Sequence, residues 1–488
     1  MRILVVLADS IDRLIEEYRA APAAADLVEL RLDRLSEWSL APLFKIAGKP
    51  RIATCRSRAQ GGFFSGSERE RGEILEQSVA LGTEYVDLEF ESADEEILAR
   101  AGTSRPLLSY HHRGITPLNL ESIYRKMADR APRAILKLIP YADACSDNLR
   151  ARELLKLARG EGRDLICFCM GQRGQVSRIL ARAWGSWGMY APLRSESTTA
   201  PGQLLLEELE QIYREGSVQD STPLSGVLGH PVSASLSPML YNRAYRELGI
   251  EGCFLPIEAE SVAEFLPLLS ELPLTGLAIT HPHKEAFAGH CDELAAEAGA
   301  VGAVNTVARR WNRLVGHNTD IEGAVRPLAR LMDLRGAKIG ILGCGGSAVA
   351  AAFGLTRARA RVVLFGRDAA RREAAAQRAG CAARPWREAS TFHGDVLINA
   401  TPVGMSPSPA ETPVSWEKAS AEIAYDFVYN PPLTRFLSEA RAAGTRDLQG
   451  TAMFLEQAAL QFQLLTGHEA PRDLFERILA APSPPEAA

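Results

Sequence analysis

The 488-residue chain lacks the marks of several protein classes. Its eight cysteines, Cys55, Cys145, Cys167, Cys169, Cys253, Cys291, Cys344 and Cys381, include no CxxC and no zinc-type spacing. A disulfide scaffold and a zinc module are thereby excluded, and reduced core thiols are expected. Long apolar runs are missing too. Nothing approaches the ~18 residues that a membrane span requires. The opening MRILVVLADS is too short for a signal h-region and has no small-residue cleavage site behind it, so it reads as a first strand of a cytoplasmic protein. An excess of one charge is also absent: 55 basic and 60 acidic residues give −5, with 30 against 32 up to residue 222 and 25 against 28 beyond it. No nucleic-acid arm or polybasic membrane patch is concealed in either half. The expected partners are small molecules, acting on a monomer or homodimer.

What is present is an α/β pattern long enough for about three domains of ~150 residues. Apolar β-branched runs at residues 2–7, 26–32, 51–56, 84–89, 106–111, 134–139, 164–169 and about 188–192 alternate with helix-like segments such as EEILAR (95–100) and NLRARELLKLAR (148–159). Eight such pairs make a (β/α)8 barrel. Polar residues interrupt the runs near their ends: Glu29 and Arg31, Arg56, Asp87 and Glu89, His111, and Lys137. In a barrel these ends converge on one mouth, where the chemistry sits. Lys137 has two readings. It is a rim lysine reaching for water, or an amine whose ordinary pKa of ~10.4 is lowered by burial and neighbouring cations, freeing it to form a Schiff base. His111 could then serve as general base, with Arg31, Arg56 and Arg178 as cations for an anionic substrate.

REGSVQDSTP, residues 214–223, has no apolar periodicity and reads as a linker. A second α/β region runs to about residue 320, and a βαβ unit then opens at AKIGILGCGGSAVAAAFGL. Its GCGGSA follows a strand at 337–342 and precedes an Ala-rich helix, which is the setting of a pyrophosphate-binding turn at Gly343, Gly345, Gly346, Ser347 and Ala348. The next strand ends at Arg367, with Asp368, Arg371 and Arg372 after it. An arginine there suits a 2′-phosphate and hence NADP; Asp368 could instead meet ribose hydroxyls, and the arginines could be a solvated helix start. His281 and His283 flank Pro282 with no third ligand nearby, so no metal is expected. Lys284 is either a solvated helix start or a group that polarises a ketone and supplies its proton, with Asp320 fixing the ammonium beside Asn305.

The motifs ELRLD, TCRSRAQGG, YVDLE, SYHHRGITP, AILKL, GQVSRIL and TAPGQ, in that order, resemble type I 3-dehydroquinate dehydratase over nearly all of residues 1–205. The resemblance implies that Lys137 forms an imine with the substrate ketone and that His111 removes the adjacent proton and passes it to the departing hydroxyl. It also implies substrate contacts from Glu29, Arg31, Arg56, Arg178, Thr199 and Gln203, with Arg178 as the carboxylate partner. Two positions depart from the family: Gln60 stands for a glutamate near the histidine, and Thr199 for a serine.

Further on, GHPVSASLSPMLYN, GLAITHPHKEAF, VGAVNTV, GHNTDIEG, NATPVGM, YDFVYNPPLT and QGTAMFLEQA resemble shikimate dehydrogenase over residues 224–470. That implies a Lys284–Asp320 catalytic pair, and Ser235, Ser237, Thr280, Asn305, Tyr429 and Gln457 around the substrate. Thr401 and Gly450 join the glycine turn, Arg367, Asp368 and Arg371 near the cofactor. Ala278 stands where a polar side chain is common.

The expected architecture is a barrel over 1–215, a substrate domain over 222–325, a Rossmann NADP domain over 326–445, and C-terminal helices over 446–480 returning to the substrate domain. The expected function is bifunctional: dehydration of 3-dehydroquinate, then NADPH-dependent reduction of 3-dehydroshikimate to shikimate, for aromatic amino acid biosynthesis. Two alternatives are a second half acting on quinate with NAD, and a non-catalytic sensor of pathway intermediates. The sensor predicts loss of the reactive groups, yet Lys137, His111, Lys284 and Asp320 are all present.

Overall fold

A computed structural model describes residues 1–92, 104–115, 119–233, 235–406 and 408–481. Strands β1 (Arg2–Leu7), β2 (Leu27–Arg31), β3 (Arg51–Thr54), β4 (Tyr85–Glu89), β5 (Arg105–Ile115), β6 (Ile135–Tyr141), β7 (Leu165–Cys167) and β8 (Met189–Pro192) form the expected eight-stranded parallel barrel, ordered β7-β6-β5-β4-β3-β2-β1-β8. Strands β2 and β3 are buried at every residue, as parallel strands covered on both faces must be. That burial is why they read as near-continuous apolar runs and why a charge inside one is informative.

Helices between the strands begin where the sequence offers caps. Ser67 and Glu70 make a reciprocal capping box at the helix Glu68–Ala80, and Ser10 accepts from the Arg13 N–H before the helix Ile11–Arg19. NLRARELLKLAR lies in the helix Asp147–Gly160. EEILAR falls outside the described residues.

The stretch 214–223 differs from a loose tether. Glu215 is 1% exposed, and its carboxylate pairs with Arg2 (2.5 Å) and Arg182 (2.8 Å); Val218 and Thr222 are buried as well. Over the described residues the chain divides into two compact units, one of Met1–Pro223 with Glu251–Pro273, the other of Leu224–Ile250 with residues 274–481.

A second sheet contains β9 (Leu224–Gly229), β10 (Cys253–Glu258), β11 (Leu274–Ile279), β12 (Glu293–Leu294), β13 (Thr306–Arg310) and β14 (Arg313–His317), ordered β10-β9-β11-β13-β14-β12. The third contains β15 (Lys338–Leu342), β16 (Arg361–Gly366), β17 (Ala382–Pro385), β18 (His393–Asn399), β19 (Ser420–Asp426) and β20 (Arg446–Leu448). It is wholly parallel, ordered β17-β16-β15-β18-β19-β20, the doubly wound arrangement whose switch point lies between β15 and β18. The helix Gly346–Arg357 starts there and buries Ala348, Ala350, Ala351 and Ala352 in the core shared with Ile339 and Ile341. Among the described residues, no helix is long and apolar enough to cross a membrane.

Candidate active sites

In the barrel, the two-residue period of a strand puts Glu29 with Arg31, Asp87 with Glu89, and Ser109 with His111 on shared faces. Lys137 lies opposite Ser109 in the β5–β6 register, two residues short of the level of His111. It is 5% exposed. Its ammonium is 3.2 Å from Asp87 Oδ2 and 3.5 Å from Glu29 Oε1, and it stands 3.9 Å from the centre of the Tyr190 ring. The groups nearest the amine are thus two carboxylates and an aromatic face rather than the cations expected from the sequence. Burial alone would raise the Asp87 carboxyl; the Arg56 guanidinium and the Lys137 ammonium outweigh it and hold it below the ordinary carboxylate range.

The three expected cations part company. Arg31 forms a two-pronged pair with Asp33, at 2.9 and 2.8 Å. Arg56 pairs with Asp87 at 2.9 Å, donates to Ser109 Oγ at 2.8 Å, and approaches Glu89 at 3.3 Å. Arg178 is 2% exposed and, among the described residues, has no ion pair. Its Nη2 donates to the Pro201 carbonyl at 3.2 Å, its guanidinium lies over Phe168 at 4.8 Å, and its Nε has no partner. Burial without a carboxylate pulls its pKa down to about 10. A cation housed at that cost calls for an anionic ligand.

Thr199 and Gln203 meet in the same loop, where the Gln203 amide oxygen accepts from the Thr199 N–H at 2.9 Å. Gly202 between them has φ +74°, and a Cβ there would lie 2.2 Å from the Gly171 carbonyl oxygen, so only glycine lets this loop close on the barrel. Gln60 occupies the position beside the histidine. Its Oε1 is 3.2 Å from His111 Nδ1, while its Nε2 donates to Glu91 at 3.3 Å. The neutral amide therefore stands between the imidazole and a carboxylate one step removed.

In the second unit, Lys284 is the first residue of the short helix Lys284–Ala288, and Asp320 begins the helix Asp320–Ala329. The Lys284 ammonium is 2.5 Å from Asp320 Oδ2, and Asp320 Oδ1 accepts from the Asn305 amide at 2.7 Å. Asn305 is held in turn: its Oδ1 accepts from the Thr319 N–H at 2.8 Å, and its carbonyl accepts from Gln461 at 2.8 Å. Gln457 lies 3.4 Å from the Asn305 amide. Thr280 follows β11, and Ser237 opens the helix Ser237–Leu248 with its N–H donating to Ser235 Oγ at 3.4 Å. The Tyr429 phenol engages Ser235 and the Leu236 backbone, and burial pushes it up to about 12. Its ring packs 4.6 Å from that of Phe454.

The glycine turn is built as the sequence suggests. Gly343 has φ +116° and sits 3.1 Å, measured from an added Cβ, from the Ala400 carbonyl; Gly345 opens onto free space. Thr401 turns its hydroxyl to Asn399 Oδ1 at 2.6 Å. Arg367 is exposed just past β16. Asp368 caps the helix Ala369–Ala379, its carboxylate accepting from the Arg371 N–H at 2.7 Å. The Arg371 side chain lies 4.0 Å from Glu285. Gly450 opens the helix Gly450–Thr466 against the Val428 carbonyl, which would lie 2.4 Å from an added Cβ.

Three contributors were not singled out from sequence: Tyr190 beneath Lys137, Glu91 behind Gln60, and Gln461 behind Asn305. Gln461 carries a usable signal, since it lies four residues after Gln457 on one helix face. The other two depend on strand and loop neighbours distant in sequence.

The profile of the type I 3-dehydroquinase family matches residues 3–220, that of the shikimate dehydrogenase substrate-binding domain residues 227–307, and that of the shikimate 5′-dehydrogenase C-terminal domain residues 450–479. The bifunctional 3-dehydroquinate dehydratase/shikimate dehydrogenase, chloroplastic, of Arabidopsis thaliana is 31% identical over 506 residues, covering 97% of this chain and 83% of that one. A shikimate dehydrogenase (NADP(+)) of Methanopyrus kandleri is 40% identical over 52% of this chain and 94% of its own. Among solved structures, the shikimate dehydrogenase of Aquifex aeolicus aligns with a TM-score of 0.50 and 28% identity, over 54% of this chain and all of that one.

Proposed function

This chain belongs to the bifunctional 3-dehydroquinate dehydratase/shikimate dehydrogenase family, and from that premise we propose a division of labour among its own residues. The barrel dehydrates 3-dehydroquinate to 3-dehydroshikimate, and the second unit reduces that ketone to shikimate, two consecutive steps of the shikimate pathway. The observation that carries the first assignment is the presence in one barrel of a buried Lys137 among strand ends and a buried Arg178 that, among the described residues, has no carboxylate partner. Arg178 takes the substrate carboxylate, and Lys137 condenses with the ketone, releasing water and leaving an iminium. His111 removes the neighbouring proton as the iminium accepts the electron pair, then protonates the departing hydroxyl, and hydrolysis returns the free lysine. Glu29, Arg31, Arg56, Thr199 and Gln203 complete the pocket.

In the second unit, Ser235, Ser237, Thr280, Asn305, Tyr429 and Gln457 orient the substrate, with Lys284 and Asp320 at the ketone. Lys284 supplies the proton to the carbonyl oxygen, and Asp320 holds its ammonium in place. NADPH, which supplies a hydride when bound, suits the residues present. The turn from Gly343, whose N–H is bonded to the Phe365 carbonyl, leads into the first N–H groups of a helix, the usual seat of a pyrophosphate, with Thr401 beside it and Gly450 as a further proposed contact. The exposed Arg367 is available for a 2′-phosphate, joined by Arg371, whereas Asp368 is engaged as a helix cap. That engagement favours NADP over the alternative of NAD with quinate.

The proposed assembly is a monomer or a homodimer. The eight free thiols support the reducing cytoplasm. The deciding experiment is a paired assay. Dehydroquinate alone should generate enone absorbance, and added NADPH should then be oxidised stoichiometrically. Enone without NADPH oxidation would remove the second assignment; no enone would remove the first, and 3-dehydroshikimate supplied directly with NADPH then tests the second.

A further inference from the structure

Ser347 belongs to the glycine turn, where the sequence reading makes it a phosphate contact. Its hydroxyl is used elsewhere. Ser347 Oγ accepts from the Lys284 ammonium at 2.8 Å and donates to Asp320 Oδ2 at 3.0 Å, closing a triangle with the 2.5 Å lysine–aspartate contact. A hydroxyl has one proton to give, so in this arrangement none remains for a phosphate. The contact extends along the lysine stem, since a Cβ added at Gly346 would lie 3.4 Å from Lys284 Cβ and 3.5 Å from its Cδ.

We propose that Ser347 is a positioning residue of the reduction, the strut through which the nucleotide turn holds Lys284 and Asp320 in register. This rests on the acid–base assignment above. Lys284 reaches its carboxylate on a flexible four-carbon stem from the first residue of a five-residue helix, so one contact leaves its ammonium free to swing about Asp320. A second anchor fixes the swing, and a general acid is effective only within hydrogen-bond reach of the atom it protonates. Because the strut rises from the turn whose main chain receives the nucleotide, proton donor and hydride donor are both referenced to one structural element. The main-chain N–H groups at the start of the helix Gly346–Arg357 remain for the pyrophosphate, and the side chain serves the chemistry.

The test uses the full chain and three variants, assayed for 3-dehydroshikimate reduction, for NADPH binding by fluorescence, and for dehydration as an internal control. Ser347→Ala should lower kcat of reduction about 10- to 100-fold, the worth of a lost hydrogen bond to charged groups. The KM and dissociation constant for NADPH should stay within about two-fold, and dehydration should be unchanged. Ser347→Thr, which keeps the hydroxyl, should recover most of the rate. An Ala variant with weakened NADPH binding and full kcat would make Ser347 the phosphate contact and overturn the proposal. So would an unchanged Ala variant, an Ala variant that no longer binds NADPH, or a Thr variant no better than Ala. Lys284→Ala separates the two levels: if it still reduces substrate, the acid–base assignment itself fails. If it is inactive while Ser347→Ala is unaffected, only the strut falls.

Discussion

The two lysines at the centres of the two sites are housed very differently. Lys137 is embedded in mid-strand, walled by Asp87, Glu29 and the face of Tyr190, and each of these comes from a different barrel strand. Lys284 stands at the start of a five-residue helix with one carboxylate and one hydroxyl for company, its side chain 16% exposed. The first arrangement suits the proposed amine that forms and releases a covalent bond, because every wall is a strand of the one barrel sheet. The second suits an amine that lends a proton and takes it back. The residue type is shared; the scaffold decides which chemistry it can do.

The sharpest way to break that contrast is to ask which lysine becomes covalently attached. Borohydride added with dehydroquinate should fix substrate mass on the Lys137 peptide and leave the Lys284 peptide unmodified. An unlabelled Lys137 would dispose of the imine. Next in size is His111→Ala, which should slow dehydration by roughly 10²- to 10⁴-fold, the usual worth of a general base, while reduction continues at its normal rate; equal losses in both assays would mean a folding defect rather than lost catalysis. Arg367→Ala should weaken NADPH by about 1.5 to 3 kcal/mol, as for a charge-assisted hydrogen bond, with little change for NADH, measured by paired titrations. Similar losses for both nucleotides would reverse the cofactor preference.

The smallest expected effect concerns two buried aspartates, and it extends the contrast to stability. Asp87 is held below the ordinary range by Arg56 and Lys137, against the effect of its burial. Asp426 is 0% exposed and, among the described residues, has donors but no cation: Thr434 Oγ1 at 2.7 Å, the Val428 N–H and the Asn399 amide at 2.9 Å. Burial there prevails and raises the carboxyl to about 7. The signs are therefore opposite. An acid depressed in the folded state stabilises above its unfolded pKa, and that stability is lost as pH falls through the folded value, so Asp87 favours neutral pH. An acid raised in the folded state binds its proton more tightly folded than unfolded, so between about pH 4 and 7 the Asp426 contribution declines as pH rises. Asp426→Asn should raise the thermal midpoint for loss of NADPH binding at pH 8 by a few degrees and do little at pH 5. A variant less stable than the parent at pH 8 would show that the carboxylate form is favoured after all.

Much of this was legible from sequence because it is local. A strand begins at Arg2 and ends at Leu7 as the apolar run dictates, and Lys137 stood out because a charge inside an apolar parallel strand demands a partner. The glycine turn was legible for the same reason, being contiguous between a strand and a helix. The unread parts are non-local. That carboxylates stand between Lys137 and the nearest cation was not legible, because Arg56 is turned onto the other oxygen of Asp87 by a register between β3, β4 and β5 that no single segment encodes. Ser347 reads as a phosphate contact until Lys284, 63 residues earlier, is seen beside it. The 214–223 stretch carried the composition of a tether, and its anchoring rests on Arg2, 213 residues away from Glu215.

That anchoring bears on where the chain can be divided. A barrel ended at residue 212 would leave Arg2 and Arg182 without the carboxylate that pairs with both, and removing one partner from a buried ion pair is costly. The same compact unit also takes in Glu251–Pro273, so a cut just after Pro223 does not free it whole either; the ten residues that look most dispensable are, for the barrel, part of its latch.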